Sequence, residues 1–125
     1  MEKKFVRLND VRAYTIAFHL SNYVWEAVLE WERFARDTVG KQFVRAVDSI
    51  SANIAEGFGR YSKKEKIQFY RYSFGSTKES FDWNEKARKR RLLSESAYTY
   101  IYSQLNLLPK EVNTLIKLTK EKLTI

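Results

Sequence analysis

Apolar residues recur at helical steps in four stretches of this chain, separated by short polar or glycine-bearing connections. In the first, Ala13, Ile16, Ala17, Leu20, Val24, Ala27, Val28 and Trp31 follow one another at three- and four-residue intervals. At about 100° per residue they form one stripe, and Tyr14, Phe18, Trp25 and Leu29 form a second beside it. The pattern predicts a helix over about 11–31, entered through Asn9 or Asp10 as N-cap. An irregular stretch from Glu32 to Arg36 is expected next. Asp37 would then cap a second helix over about 38–56, with Val39, Phe43, Val47, Ile50 and Ile54 as its core stripe. Gly57 and Gly59 read as the left-handed or extended residues that stop it.

Ser62-Lys63-Lys64-Glu65 has the form of a capping box and predicts the start of a third helix, over about 63–91. It carries Ile67, Tyr70, Phe74 and Phe81 on one stripe and Phe69, Tyr72, Ser76, Trp83 and Ala87 on another. Leu92 to Glu95 read as a turn, with Ser94 or Ser96 capping a fourth helix over about 96–123. There Tyr98, Ile101, Leu105, Leu108, Val112 and Leu115 alternate steps of three and four. The seam keeps phase on both sides of Pro109, which predicts one kinked helix in place of two. Four amphipathic segments with short connections predict an all-α, up-and-down antiparallel four-helix bundle filling a single domain, 1–125. Helices 1 and 3 have wider apolar arcs than one bundle interior needs. The surplus is expected in a subunit interface rich in Tyr, Trp and Phe, the alternative being rings that lie on the bundle's own surface.

Composition agrees with this and narrows the function. With 44% hydrophobic residues the chain can close one core, and 4 Gly and 1 Pro are too few for a many-turned β sandwich. The absence of cysteine excludes disulfides and thiolate metal sites. Met1-Glu2-Lys3-Lys4-Phe5 has no apolar region behind its charges, and no apolar run approaches the roughly 20 residues of a membrane span, so a cytoplasmic protein is expected. The single histidine, with no acidic cluster, phosphate loop or nucleophile elbow, argues against an enzyme, a metal or a cofactor. Arg12 and His19, seven apart, resemble the Arg-x4-6-His motif of HEPN-type bundle ribonucleases. That motif normally lies on a later helix, so a ribonuclease is only a remote alternative.

The formal net charge is +8, and its placement matters more than its size. Residues 1–57 hold 8 basic and 8 acidic residues, 58–91 hold 11 and 4, and 92–125 hold 4 and 3. Lys64, Arg71 and Lys78 repeat at seven residues along one face of helix 3, and Lys86, Arg88, Lys89, Arg90 and Arg91 crowd its end. A charged helix face often serves only solubility. This density exceeds what the helix dipole favours and points to phosphate contacts with RNA or DNA. The alternative is a scaffold that recruits an acidic or polymerase-type protein through the same face.

On helix 2, Gln42, Ala46, Ser49, Asn53 and Glu56 form a small, polar stripe suited to close helix contact, with Asn53 expected as a buried, register-setting amide; the alternative is that Asn53 or Glu56 contacts a ligand. The run from Arg45 to Arg60, with its Ser-Ile-x-Ala-Asn-Ile-Ala-Glu-Gly-x-Gly-Arg core containing Ser49, Asn53, Glu56, Gly57, Gly59 and Arg60, is followed by Ser62, Glu65, Phe69 and Gly75-Ser76. Together these resemble the four-helix bundle proteins encoded in intervening sequences of bacterial 23S ribosomal RNA genes, over essentially the whole chain. The resemblance implies a left-handed bundle assembled as a ring-shaped homopentamer, and no established activity. That family is similar in turn to the accessory variability determinant of diversity-generating retroelements, which implies nucleic acid and a reverse-transcriptase-like protein as partners. The Trp31 to Lys41 stretch departs from the shorter junction of many family members.

Overall fold

The four apolar stripes become four long helices in the computed structural model, which describes residues 6–122. They are α1 (Arg12–Leu29), α2 (Lys41–Phe58), α3 (Lys63–Lys89) and α4 (Glu95–Lys122). Each packs on its successor and α4 closes against α1, giving the expected up-and-down antiparallel order. The expected end of the fourth helix at residue 123, and the Met1–Phe5 segment, lie outside the described residues. Leu20 and Val24 of α1, Phe43, Val47, Ile50 and Ile54 of α2, and Ile101, Leu105, Leu108 and Val112 of α4 are fully buried in one core. Pro109 sits on the exposed side of α4, and the helix runs through it because the seam on both sides is buried in that core.

The inner face of α3 differs from its aromatic pattern. Between Ile67, Tyr70 and Ala87 the buried positions are Ser73, Thr77, Ser80 and Asn84, on the line that bisects the two aromatic stripes. Phe69, Phe74, Phe81 and Trp83 are half-buried on its flanks, and the last three pack against the core. Small residues on the axis let α3 wedge between its neighbours. Their hydroxyls cost little there, because Ser73 donates to Tyr70 O at 2.6 Å, Thr77 to Ser73 O at 2.7 Å and Ser80 to Ser76 O at 2.8 Å.

Three local expectations are corrected. Neither Asn9 nor Asp10 caps α1: both lie in a 3₁₀ turn, Leu8–Asp10, where the Asp10 carboxylate accepts from the Arg7 amide, and Val11 precedes the helix. Asp37 is not the cap of the second helix, because the chain is already helical from Arg33. The Glu32 carboxylate accepts from the amides of Phe34 (3.1 Å) and Ala35 (2.8 Å), and one wide π turn, Arg36–Gly40, leads into α2. That turn brings Ala35, Val39, Gly40 and Phe43 all to the core. Finally, no described glycine has a positive φ. Gly57 is helical and buried, and what it provides is space for Tyr70.

Burial pushes the Tyr70 hydroxyl up to about 12, against a partial opposing effect of its hydrogen bond with Thr119. The ionised phenol is therefore disfavoured in the fold. The stability it contributes is complete below the ordinary tyrosine value of about 10 and is lost as pH rises from there towards 12. Denaturation measured between about pH 9 and 12 is expected to show a loss of about 2–3 kcal/mol in the parent protein that is absent from Tyr70→Phe. Equal pH dependence in the two proteins would assign the alkaline loss to other groups.

Candidate nucleic-acid interface

The run from Ser49 to Arg60 builds the junction between α2 and α3. Arg60 folds back so that its guanidinium lies 2.8 Å from Glu56 and 3.7 Å from Glu65, and 4.6 Å from the centroid of Phe69. The Glu65 amide donates to the Ser62 hydroxyl at 3.2 Å, forming the expected cap, and the Lys66 ammonium donates to the Phe58 carbonyl at 2.8 Å. Burial lowers the pKa of Lys66. Gly59 is exposed at the helix end in a right-handed conformation. These contacts make the run a structural clasp. Ser49 and Asn53 are half-buried and bond within their own helix, to Arg45 O at 2.8 Å and Ser49 O at 2.9 Å. The buried amide between helices is Asn84, which donates to Tyr98 O on α4 at 3.3 Å and leaves its Oδ1 without a partner among the described residues.

The cations of α3 fall into two groups. Lys86 is held by Asp82 at 2.6 Å and sits 4.6 Å from the centroid of Trp83. Arg88 is held by Glu95 at 3.1 Å and stacks 4.4 Å from the centroid of Tyr98. Hydrogen bonding to Glu95 raises the pKa of Arg88 further, and Tyr98 in turn donates to Glu85, which raises its own pKa. Lys64, Arg71, Lys78, Lys89, Arg90 and Arg91 are exposed, and among the described residues none has a carboxylate partner. From Lys64 to Lys89 the helix rises about 37 Å, so the unpaired charges form a long track ending in a dense corner.

At that corner α3 ends in a Schellman turn. The Leu92 amide donates to Ala87 O at 2.8 Å and the Arg91 amide to Arg88 O at 3.0 Å. Arg91 has φ 61, the one positive value among the described non-glycine residues, at the position glycine usually fills. Arg91→Gly is expected to stabilise the fold by about 0.5–1 kcal/mol while removing a cation from the corner. Stability and nucleic-acid affinity would move in opposite directions, which denaturation and binding titrations on the same variant can read. After the turn, the Ser94 hydroxyl accepts from the Ala97 amide at 3.1 Å and caps α4.

The same end of the bundle holds a groove that helical periodicity alone does not reveal. It is open to solvent, with a volume of about 760 Å³, and is lined by residues from the start of the second helical segment and the end of α3, among them Phe34, Lys41, Gln42, Trp83, Arg90 and Leu92. The wide aromatic arc of α3 supplies Trp83 to it, but the π turn between Phe34 and Lys41, which also line it, has no signature in residue spacing. Arg12 and His19 form no comparable site. The Arg12 Nε donates to Glu111 at 2.9 Å, whereas His19 packs against the Phe18 ring in a cleft that Arg12 does not line. No group of His, Asp or Glu suited to a metal ion occurs among the described residues, and no described helix is long and apolar enough to cross a membrane.

Comparison with known proteins agrees with this architecture. A crystal structure from Bacteroides thetaiotaomicron, of a protein with unknown function from the S23 ribosomal protein family, is similar with a TM-score of 0.71 and 22% identity, over 89% of this chain and 99% of that one. At that identity the likeness establishes the fold. No curated protein matches the chain. Residues 9–114 match the 23S rRNA-intervening sequence protein family, a span that includes the α2–α3 clasp and the basic corner. The chain belongs to the family of 23S rRNA-intervening sequence proteins.

Proposed function

We propose that this protein is a non-catalytic, cytoplasmic, homo-oligomeric binding protein that associates with nucleic acid through the basic face of α3. The supporting observation is the set of six exposed cations without carboxylate partners among the described residues, Lys64, Arg71, Lys78, Lys89, Arg90 and Arg91, on one helix and the turn after it. Phosphates recruited there displace counterions, so affinity is expected to fall steeply with salt and depend little on sequence. Titrating RNA and DNA at rising ionic strength tests this; absence of binding at low salt would refute it. Association with an acidic or reverse-transcriptase-like protein that survives nuclease treatment, without such binding, would favour the scaffold reading.

Oligomerisation rests on a different face. Phe18, Trp25 and Leu29 of α1 are 45%, 50% and 44% exposed and share one stripe. Burying rings of this size in a subunit contact is favourable by about 25 cal/mol per Å² of apolar surface. In the pentameric ring implied by the family resemblance, five basic faces would act together through avidity. Light scattering at micromolar concentration distinguishes this from a monomer, and Trp25→Glu is expected to dissociate the assembly.

A further inference from the structure

The geometry points to a single-stranded nucleic-acid subsite in the groove between the start of the second helical segment and the end of α3, where an unpaired base stacks on Phe34 and Trp83 while Lys41 and Arg90 hold its flanking phosphates. This rests on the nucleic-acid reading above and specifies which form of nucleic acid is bound. The cavity of about 760 Å³ is within the range of about 300–1,000 Å³ typical of small-ligand sites. Its lining combines two aromatic rings with two cations that have no carboxylate partner among the described residues.

The two rings differ in how they are held. Phe34 is 75% exposed, on the short helical turn capped by Glu32, where its surface is available to a ligand. Trp83 is half-buried and fixed from two sides: its Nε1 donates to Glu79 at 3.1 Å, and the Lys86 ammonium lies over the ring. The groove thus offers one rigid and one open aromatic surface. Asp37, which also lines it, is 3.7 Å from Arg33 and 3.9 Å from Arg36, so its charge is offset locally. A duplex keeps the faces of its bases inside its own stack and presents phosphates to an apolar lining. An unpaired base can offer its face, and stacking of this kind is tolerant of sequence.

The test uses the full-length protein, a labelled single-stranded RNA of about 12 nucleotides, the matching duplex, and an abasic strand of equal charge. Phe34→Ala is expected to weaken single-strand binding about 5- to 100-fold. Binding of the duplex and the abasic strand should be unchanged, and so should the salt dependence for each probe, since no charge is removed. Because Phe34 is so exposed, the variant should retain the parent's helicity and melting temperature. Single-strand binding indifferent to Phe34→Ala, or an equal loss on the abasic strand, overturns the inference and leaves the basic-face reading standing. Failure of the parent protein to bind any of the three probes overturns both.

Discussion

Gly57→Ala is expected to destabilise the bundle by about 1–2 kcal/mol net, an overpacking cost of about 2–3 kcal/mol set against the roughly 1 kcal/mol by which alanine is the better helix former. A Cβ at this position would stand 2.7 and 2.8 Å from two carbons of the Tyr70 ring and 2.9 Å from the carbonyl oxygen of Lys66. Neither neighbour can yield cheaply. Tyr70 is 2% exposed in the packed core, and the Lys66 carbonyl belongs to the backbone of α3. The two helices would have to move apart at the clasp formed by Arg60, Glu56 and Glu65. Gly75→Ala supplies the contrast: beyond its own helical turns no atom of the described residues stands within 4 Å of its added carbon, so the helix-propensity gain of about 0.5–1 kcal/mol should appear undiminished. Urea denaturation of both variants reads the opposite signs as shifts in midpoint at constant slope. Equal stability of Gly57→Ala and the parent would mean that the contact with Tyr70 does not set the separation of α2 and α3.

The fold was legible because its cores are simple. Val39, Phe43, Val47, Ile50 and Ile54 recur with a helical period, and all are buried. The same is true from Ile101 to Leu115 across Pro109, where burial of the seam on both sides outweighs the lost backbone hydrogen bond. What periodicity missed was set by packing. On α3 the aromatic residues are the larger signal, yet the axis of the bundle accepts Ser73, Thr77, Ser80 and Asn84, whose small volume permits close approach and whose polarity is met within the backbone. A hydrophobicity pattern therefore indicates the flanks of this helix and not its centre. Asn53 and Asn84 show the same limit: both lie on helices, and only tertiary packing makes Asn84 the fully buried one.

Turn chemistry was legible where a side chain dictates it and not where a neighbouring helix does. Ser62 and Ser94 cap α3 and α4 as their hydroxyls suggest. Gly57 looks like a helix stop, but its neighbour Tyr70 is thirteen residues away in sequence, beyond any local pattern. The left-handed residue among those described is Arg91, a type that gives no local warning of it. The basic track was visible in the sequence as charge, but its division into paired and unpaired cations was not, because Asp82 and Glu95 select Lys86 and Arg88 through geometry.

That division carries the largest expected effect on binding. Replacing Lys89, Arg90 and Arg91 together by Gln is expected to weaken nucleic-acid binding about 100-fold at about 0.1 M salt and to reduce the slope of log affinity against log salt by about 2–3. Each unpaired cation that meets a phosphate releases roughly 0.7–0.9 counterion equivalents, and this corner supplies three adjacent ones. Gln at residue 91 keeps a side chain in the left-handed conformation, so the comparison is not confounded by the stability gain that glycine would bring. The control removes both members of each ion pair, as Asp82→Asn with Lys86→Gln and Arg88→Gln with Glu95→Gln. It leaves the net charge unchanged and deletes cations whose carboxylates already compete with phosphate, so affinity for a duplex, which does not stack on Trp83, should stay within about 2-fold of the parent. If instead the paired set matters as much as the terminal three, phosphate must displace Asp82 and Glu95 on binding, and the interface includes the ring of Tyr98 against which Arg88 stacks.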